Sequence, residues 1–144
     1  KKVREMIEET SAGIVLFRKE ESKKLFLLLH YPSGHWDFVK GKMEIGESTH
    51  QTAIREAEEE TSITDITFIE KFEEWIEYEF KHKGELVQKK VVFFLAETKT
   101  EEVIISHEHT GYTWMDYDSA MEKVKFDNAK IILTKAQNLI SNTL

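Results

Sequence analysis

Gly41-Lys42-Met43-Glu44-Ile45-Gly46-Glu47-Ser48-Thr49-His50-Gln51-Thr52-Ala53-Ile54-Arg55-Glu56-Ala57-Glu58-Glu59-Glu60-Thr61-Ser62-Ile63 reads as a loop that turns into a helix. Ser48 with Gln51 three residues on fits a capping box, so the sequence predicts a helix from near Ser48 to about Thr61. At about 100° per residue, Ala53, Ile54 and Ala57 share one apolar arc that the helix can bury. Glu56 and Glu60, one turn apart, lie on a flank of that arc, and Glu59 falls about 60° further round. These carboxylates are expected to converge on one site, while Glu58 points away from them.

An acidic helix face usually does no more than meet water. Here the pattern works against the helix that carries it. Like charges one turn apart destabilise a helix by about 0.2–0.5 kcal/mol per pair, and acids in its C-terminal half oppose the macrodipole. Arg55, one turn before Glu59, relieves part of this. A bound cation would supply the positive charge that is missing. Oxygen ligands in a chain without cysteine favour Mg²⁺, with Mn²⁺ as a substitute, over zinc. Mg²⁺ takes one or two carboxylates plus substrate phosphates, which makes a nucleotide its natural companion.

On these residues the chain resembles the Nudix hydrolases, whose signature reads Gly-x5-Glu-x7-Arg-Glu-U-x-Glu-Glu-x-Gly-U, with U aliphatic. Gly41, Glu47, Arg55, Glu56, Ala57, Glu59, Glu60 and Ile63 match it, and Ser62 stands where the pattern has glycine. Serine is the poorer but tolerated residue in a left-handed turn. Upstream, His35-Trp36-Asp37-Phe38-Val39-Lys40-Gly41 is similar to the His-Trp-Asp-x-Pro-Lys-Gly lead-in of the asymmetrical diadenosine tetraphosphate hydrolases, with Val39 replacing proline. Downstream, Ser106, Glu108, His109 and Trp114 resemble the loop that brings a further glutamate to the metals in that group. Phe126 falls where an aromatic stacks on adenine. The likeness runs from about Thr10 to Leu139.

The resemblance implies roles residue by residue. Glu56 and Glu60 would ligate metal, joined by the backbone oxygen near Lys40 and by Glu108, with Glu59 also placed at the metals. Glu59 would be the general base or orient the attacking water, and Glu108 is the alternative for that role. Glu47 and Arg55 would tie loop to helix by ion pairing, with Gly41 supporting them, in preference to touching substrate. Lys40 and His35 would donate to phosphate oxygens, although His35 reads equally well as a surface histidine. Tyr31, Tyr78 and Phe126 are the candidates for stacking on adenine, against the ordinary fate of an aromatic in the core. Lys81 and Lys83 would either reach the distal phosphates or guard an edge strand against aggregation.

The 144 residues contain no Pro-, Gly- or Ser-rich linker and no repeat, so residues 1–144 are read as one domain with its own core. Apolar content of 40% and aromatic content of 11% argue for a globular chain. No apolar run is long enough to span a bilayer, and the opening Lys1-Lys2-Val3-Arg4-Glu5 is not followed by a signal-type core, so no membrane partner and a cytoplasmic setting are expected. A net charge of −7 disfavours a grip on long nucleic acid and leaves a small-molecule nucleotide as the partner, for a monomer or homodimer.

Strand signals lie at Ala12–Phe17 and Leu25–Leu29, with 20–24 as the turn between them. Trp75–Phe80 alternates, with Ile76, Tyr78 and Phe80 on one face and Glu77 and Glu79 on the other; Val91–Leu95 reads as a buried strand, and Lys83-Gly84 as the hairpin turn. Asp118 is expected to cap a short helix, and Asp127 a longer one carrying Ile131, Ile132, Lys135, Leu139 and Ile140. Strands, a helix, more strands and a terminal helix make an α+β fold. The resemblance implies a Nudix-type α/β/α sandwich, with a mixed central sheet and the signature as loop-helix-loop.

Three functions compete. The first is Mg²⁺-dependent hydrolysis of a dinucleoside polyphosphate, splitting diadenosine tetraphosphate into ATP and AMP by attack of water on a phosphorus. The second keeps the chemistry but acts on an RNA 5′-triphosphate, a nucleoside triphosphate or a nucleotide sugar. The third is a non-catalytic nucleotide-sensing domain, which would be expected to have lost the carboxylates that this chain retains.

Overall fold

The computed structural model describes residues 6–143; the charged opening at residues 1–5 lies outside them. Seven strands form a mixed sheet: β1 Ile7–Glu20, β2 Lys23–His30, β3 Trp36–Asp37, β4 Val39–Lys42, β5 Thr67–His82, β6 Glu85–Glu97 and β7 Gly111–Met115. Three helices accompany them: α1 Thr49–Thr61, α2 Tyr117–Lys123 and α3 Asp127–Thr143. Among the described residues only β1 and β6 pair in parallel, along Ile7–Phe17, and this pairing makes β1 longer than its apolar run. Since β6 occupies one edge of β1, β2 and β4 must share the other: β2 pairs with Phe17–Glu20 and β4 with Ser11–Ile14. In the same way β7 takes one edge of β2, leaving β1 and β3 on its second edge. The short β3 and β4 therefore fill the gap where β1 and β2 diverge, which puts the site's loops there.

Strict alternation divides the core into two layers. Val15, Phe17, Val91, Phe93 and Leu95 are buried with Ala129, Ile132, Leu133 and Ala136 of α3. Ala12, Ile14, Leu16, Val92, Phe94 and Ala96 are buried with Ala53 and Ala57 of α1. Buried on both faces, β1 and β6 read as continuous apolar runs, as the sequence has them. The architecture is α+β, with α1 on one face of the sheet and α2 and α3 on the other.

The capping box at α1 is complete: Gln51 N donates to Ser48 Oγ at 3.1 Å, and Ser48 N donates to Gln51 Oε1 at 2.8 Å. At the other end Ser62 adopts φ 65°, ψ 12°, and its N–H donates to Glu58 O at 2.9 Å. A residue with a β-carbon is strained there, so Ser62→Gly is expected to stabilise the protein by about 0.5–1 kcal/mol and raise the melting temperature by about 2–4 °C in a thermal scan. An unchanged or lower melting point would refute the strain.

Three local expectations need correction. Ile54 is exposed, and Glu60 takes its place in the buried arc, because α1 lies on the sheet along the Ala53–Ala57–Glu60 row. The cap of α2 is Asp116, two residues before Asp118, and it accepts from Ser119 N at 2.9 Å, with Asp118 already inside the first turn. On α3, Ile131 faces solvent and Ile132 the core, since adjacent helical residues diverge by about 100°. Lys130 ties the two C-terminal helices together by donating to the carbonyls of Met121 and Val124, which the end of α2 would otherwise leave unpaired.

Candidate active site

The first wall of the site is β4, which runs antiparallel to β1 with Lys40 opposite Gly13 and Gly41 opposite Ala12. A β-carbon on Gly13 would collide with the Val39 carbonyl oxygen, so glycine lets the two strands approach. Gly41 matters more. A β-carbon there would overlap the Glu56 carboxyl group, which lies directly against the backbone of β4. Arg55 fixes the loop that follows: its Nε and Nη2 donate to Glu47 at 2.6 and 3.1 Å, and Nη2 also donates to Lys42 O at 2.9 Å. Glu47 accepts further from Glu44 N and Thr52 Oγ1, and the Arg55 bonds hold its carboxyl down at about 2. The same guanidinium reaches Glu56 Oε2 at 2.8 Å.

Glu60 lies beside Glu56 and is only 3% exposed. Its Oε1 has no hydrogen-bond partner among the described residues. Burial, followed by a hydrogen bond and charge repulsion from Glu56, pushes its pKa up to about 10. Above the carboxylate is His109 of the loop before β7, whose Nε2 lies 3.2 Å from Glu60 Oε1 but out of line for a hydrogen bond. Burial lowers the His109 pKa, against the opposing pull of the Glu108 and Glu56 charges. That loop is anchored on the end of α1, where Ile104 N donates to Thr61 O and Ser106 N to Glu60 O. The anchoring brings the charge of Glu108 to bear on Glu60.

A buried carboxyl with an orphan oxygen, a second carboxylate and a bare stretch of backbone beside it suit a divalent cation. Two carboxylates are the number that Mg²⁺ ordinarily takes. Glu59 stands further out on the same flank, sharing Arg55 Nη1 with Glu56 and adding its charge to the field on Glu60. It is exposed, with its oxygens 3.3 and 3.4 Å from Arg55 Nη1. Glu58 is exposed as well.

A cleft of about 260 Å³ opens on the α3 face of the sheet. Tyr78 and Phe126 form its aromatic sides, and Ile76, Phe93 and Ala129 its apolar floor. Lys40 reaches its wall, with Nζ 2.9 Å from Asp37 Oδ2, while Asp37 Oδ1 accepts from Phe38 N at 2.8 Å. Tyr31 links cleft and carboxylates: its hydroxyl donates to Phe38 O at 2.6 Å, its ring stacks on His35 and meets the His109 ring edge-on at 4.6 Å. His35 in turn meets Phe126 edge-on at 5.0 Å. Partial burial lowers the His35 pKa, and Ser33 Oγ sits 2.6 Å from its Nδ1.

Lys40, Tyr78 and Phe126 thus line the cleft, and the contacts of His35 with Phe126 and of Tyr31 with His35 and His109 connect it to the loop over Glu60. Lys81 and Lys83 are set apart. Lys81 is an odd number of residues from Tyr78 on an extended strand, so it projects from the opposite face, and Lys83 occupies the turn to β6 with φ 51°. Two polar residues of the quoted motifs gain a role only here: Asp37, buried inside the lead-in, and His109, next to Glu108. For Asp37 the signal was its matched place in the His35-to-Gly41 lead-in. For His109 there was its place beside a suspected ligand.

Comparison with known proteins agrees with this geometry. The NUDIX domain description matches residues 4–135. The asymmetrical bis(5′-nucleosyl)-tetraphosphatase of Sus scrofa is 34% identical over 142 residues, covering 90% of this chain and 94% of its own. Its Caenorhabditis elegans counterpart is 36% identical over 130 residues, covering 87% and 91%. A crystal structure of a C. elegans Ap4A hydrolase binary complex superposes with a TM-score of 0.84 at 33% identity, covering 93% of this chain and 98% of the other.

Proposed function

The chain belongs to the Nudix domain family and is a Nudix hydrolase homologous to the asymmetrical bis(5′-nucleosyl)-tetraphosphatases, and from that premise we propose that it hydrolyses diadenosine tetraphosphate to ATP and AMP with Mg²⁺ as cofactor. The observation that carries this reading is the buried Glu60 carboxyl, with its orphan oxygen, set next to Glu56 and beneath His109, whose ring Tyr31 and His35 connect to Phe126 of the aromatic cleft. Its setting as a single cytoplasmic domain, monomeric or homodimeric, is part of the same proposal; no described helix is long and apolar enough to cross a membrane.

Glu56 and Glu60 would hold the cation against the Lys40–Gly41 backbone, with Glu108 close by. When bound, the cation supplies Lewis-acid charge at the phosphoryl oxygens. The chain's own residues do the rest. Lys40, aimed by Asp37, donates to a phosphate oxygen and balances its charge. His35, with Nδ1 next to Ser33, presents Nε2 to the same chain of phosphates. Glu59 is the proposed base, since its long contacts with Arg55 hold it loosely and it faces water; Glu108 is the alternative. Tyr78 and Phe126 stack on adenine and so fix the reacting phosphorus relative to the carboxylates.

Incubation with diadenosine tetraphosphate, triphosphorylated RNA and nucleotide sugars in Mg²⁺ or Mn²⁺, with chromatography of products, tests the assignment. ATP and AMP in equal amounts are expected. Faster release of pyrophosphate from RNA would favour the second substrate class, and tight binding without turnover would favour a sensor. Phe126→Ala is expected to raise KM about 5- to 100-fold with a smaller change in kcat, because stacking contributes about 1–3 kcal/mol to binding. An unchanged KM would remove Phe126 from the base site.

A further inference from the structure

Resting on the hydrolase reading above, we propose that Glu9 is a built-in counter-ion beside the cleft: it occupies Lys42 and Lys89 until a phosphate chain displaces it, and so loosens the hold on any chain that runs past Lys40. The strand ladders place these groups. Lys42 lies two residues beyond Lys40 on β4, so both project from the face on which the cleft opens, about 6.7 Å apart. On β6, Lys89 is the register partner of Tyr78 and shares its face, one strand spacing of about 4.8 Å away. Glu9 of β1 pairs with Lys89 in the parallel ladder, one strand nearer to β4. Ser11 and Val91, both buried, floor the sheet between these charges. With Lys81 on the far side of the sheet, Lys42 and Lys89 take the place beyond Lys40.

Charge decides what Glu9 does there. Its Oε1 is 3.3 Å from Lys89 Nζ and its Oε2 is 3.3 Å from Lys42 Nζ, and neither ammonium group has another partner among the described residues. Asp37 is committed to Lys40 and to Phe38 N, which leaves Glu9 to neutralise the pair. Burial opposes the charge on Glu9, but the bonds from Lys89 and Lys42 outweigh it and hold its pKa below the ordinary value. Both contacts are longer than the about 2.7–2.9 Å of a tight charge-assisted bond, and pairs of this kind are exchanged at small cost. A phosphate oxygen carries charge of the same sign as the carboxylate and competes for the same donors. To take Lys42 and Lys89 it must evict Glu9 and then lie beside it. Only a chain long enough to pass Lys40 meets that opposition, so a monophosphate is spared.

Calorimetric titration of AMP and of a methylene-bridged, non-hydrolysable ATP analogue into the Mg²⁺-loaded wild type, Glu9→Gln and the double variant Glu9→Gln with Lys42→Gln tests this. Glu9→Gln should bind the ATP analogue about 3- to 10-fold more tightly than the wild type and AMP within about twofold of it. The gain should shrink as salt is raised to about 0.5 M. It should also shrink by about half or more when Lys42, whose side chain is 65% exposed, is replaced as well. A role confined to fastening β1 to its neighbours would lower the melting temperature of Glu9→Gln and leave both affinities where they were. Equal or weaker binding of the analogue by Glu9→Gln, a gain of the same size for AMP, or no binding of the analogue by any of the three proteins overturns the assignment. The two readings fail separately. Failure to hydrolyse diadenosine tetraphosphate removes the proposed activity while the titrations still decide Glu9, whereas normal hydrolysis with unmoved affinities removes only the role of Glu9.

Discussion

Glu60→Gln is expected to lower kcat/KM by about 10³-fold or more and yet to make the metal-free protein more stable. The two effects share one cause. Glu60 is 3% exposed, beside Glu56, and its pKa is pushed up to about 10 by burial first and Glu56 second. Between the ordinary glutamate value of 4.5 and that raised value, the folded state holds a proton that the unfolded chain releases. Stability of the metal-free protein therefore falls as pH rises through this window. Glutamine has the same shape and nothing to ionise, so the variant should lose this slope and gain on the order of 1–3 kcal/mol at about pH 8. A bound cation would reverse the ranking by paying for the charge in the wild type alone. Thermal melts in EDTA across about pH 5–9, repeated with Mg²⁺, measure all of this. A metal-free wild type whose stability does not fall with pH, or a variant that melts lower than it, would contradict the account. Glu58→Gln, on the exposed face of α1, should change neither rate nor melting point appreciably.

Gly41→Ala has the second largest expected effect. The added β-carbon would overlap the Glu56 carboxyl, which is also gripped by Arg55 Nη1 at 2.8 Å and cannot withdraw without breaking that bond. Displacing a reacting or ligating group by about 1 Å is enough to lose about 10²-fold in rate, and that is the decrease expected in kcat/KM. Mn²⁺ affinity, read by electron paramagnetic resonance, should weaken in parallel while the far-ultraviolet circular dichroism stays unchanged. Full activity in Gly41→Ala would mean that the Glu56 carboxylate does not need its place against β4.

Much of this was legible in local sequence because the physics behind it is local. The Ser48–Gln51 box, the end of α1 at Ser62 and the Lys83–Gly84 turn are decided by neighbouring residues, and each formed where expected. The continuous apolar runs of β1 and β6 announced strands buried on both sides. In contrast β3, β4 and β7 carry weak strand signals and exist only because β1 and β2 offer them free edges. The helix phase of Glu56 and Glu60 followed from spacing alone. Which of the two would be buried did not, because the choice between Ile54 and Glu60 depended on how α1 lay on the sheet.

From sequence by itself came the family, the helix that bears the carboxylates and the aromatic and basic residues suited to a nucleotide. Only tertiary structure decided that Glu60 is sealed beneath His109, that Asp37 aims Lys40, that one nitrogen of Arg55 is shared by Glu56 and Glu59 and that Lys81 faces the other side of the sheet. Helix caps and turns are set by contacts a few residues apart, whereas burial, and the electrostatics that follow from it, depends on packing between segments distant in the chain.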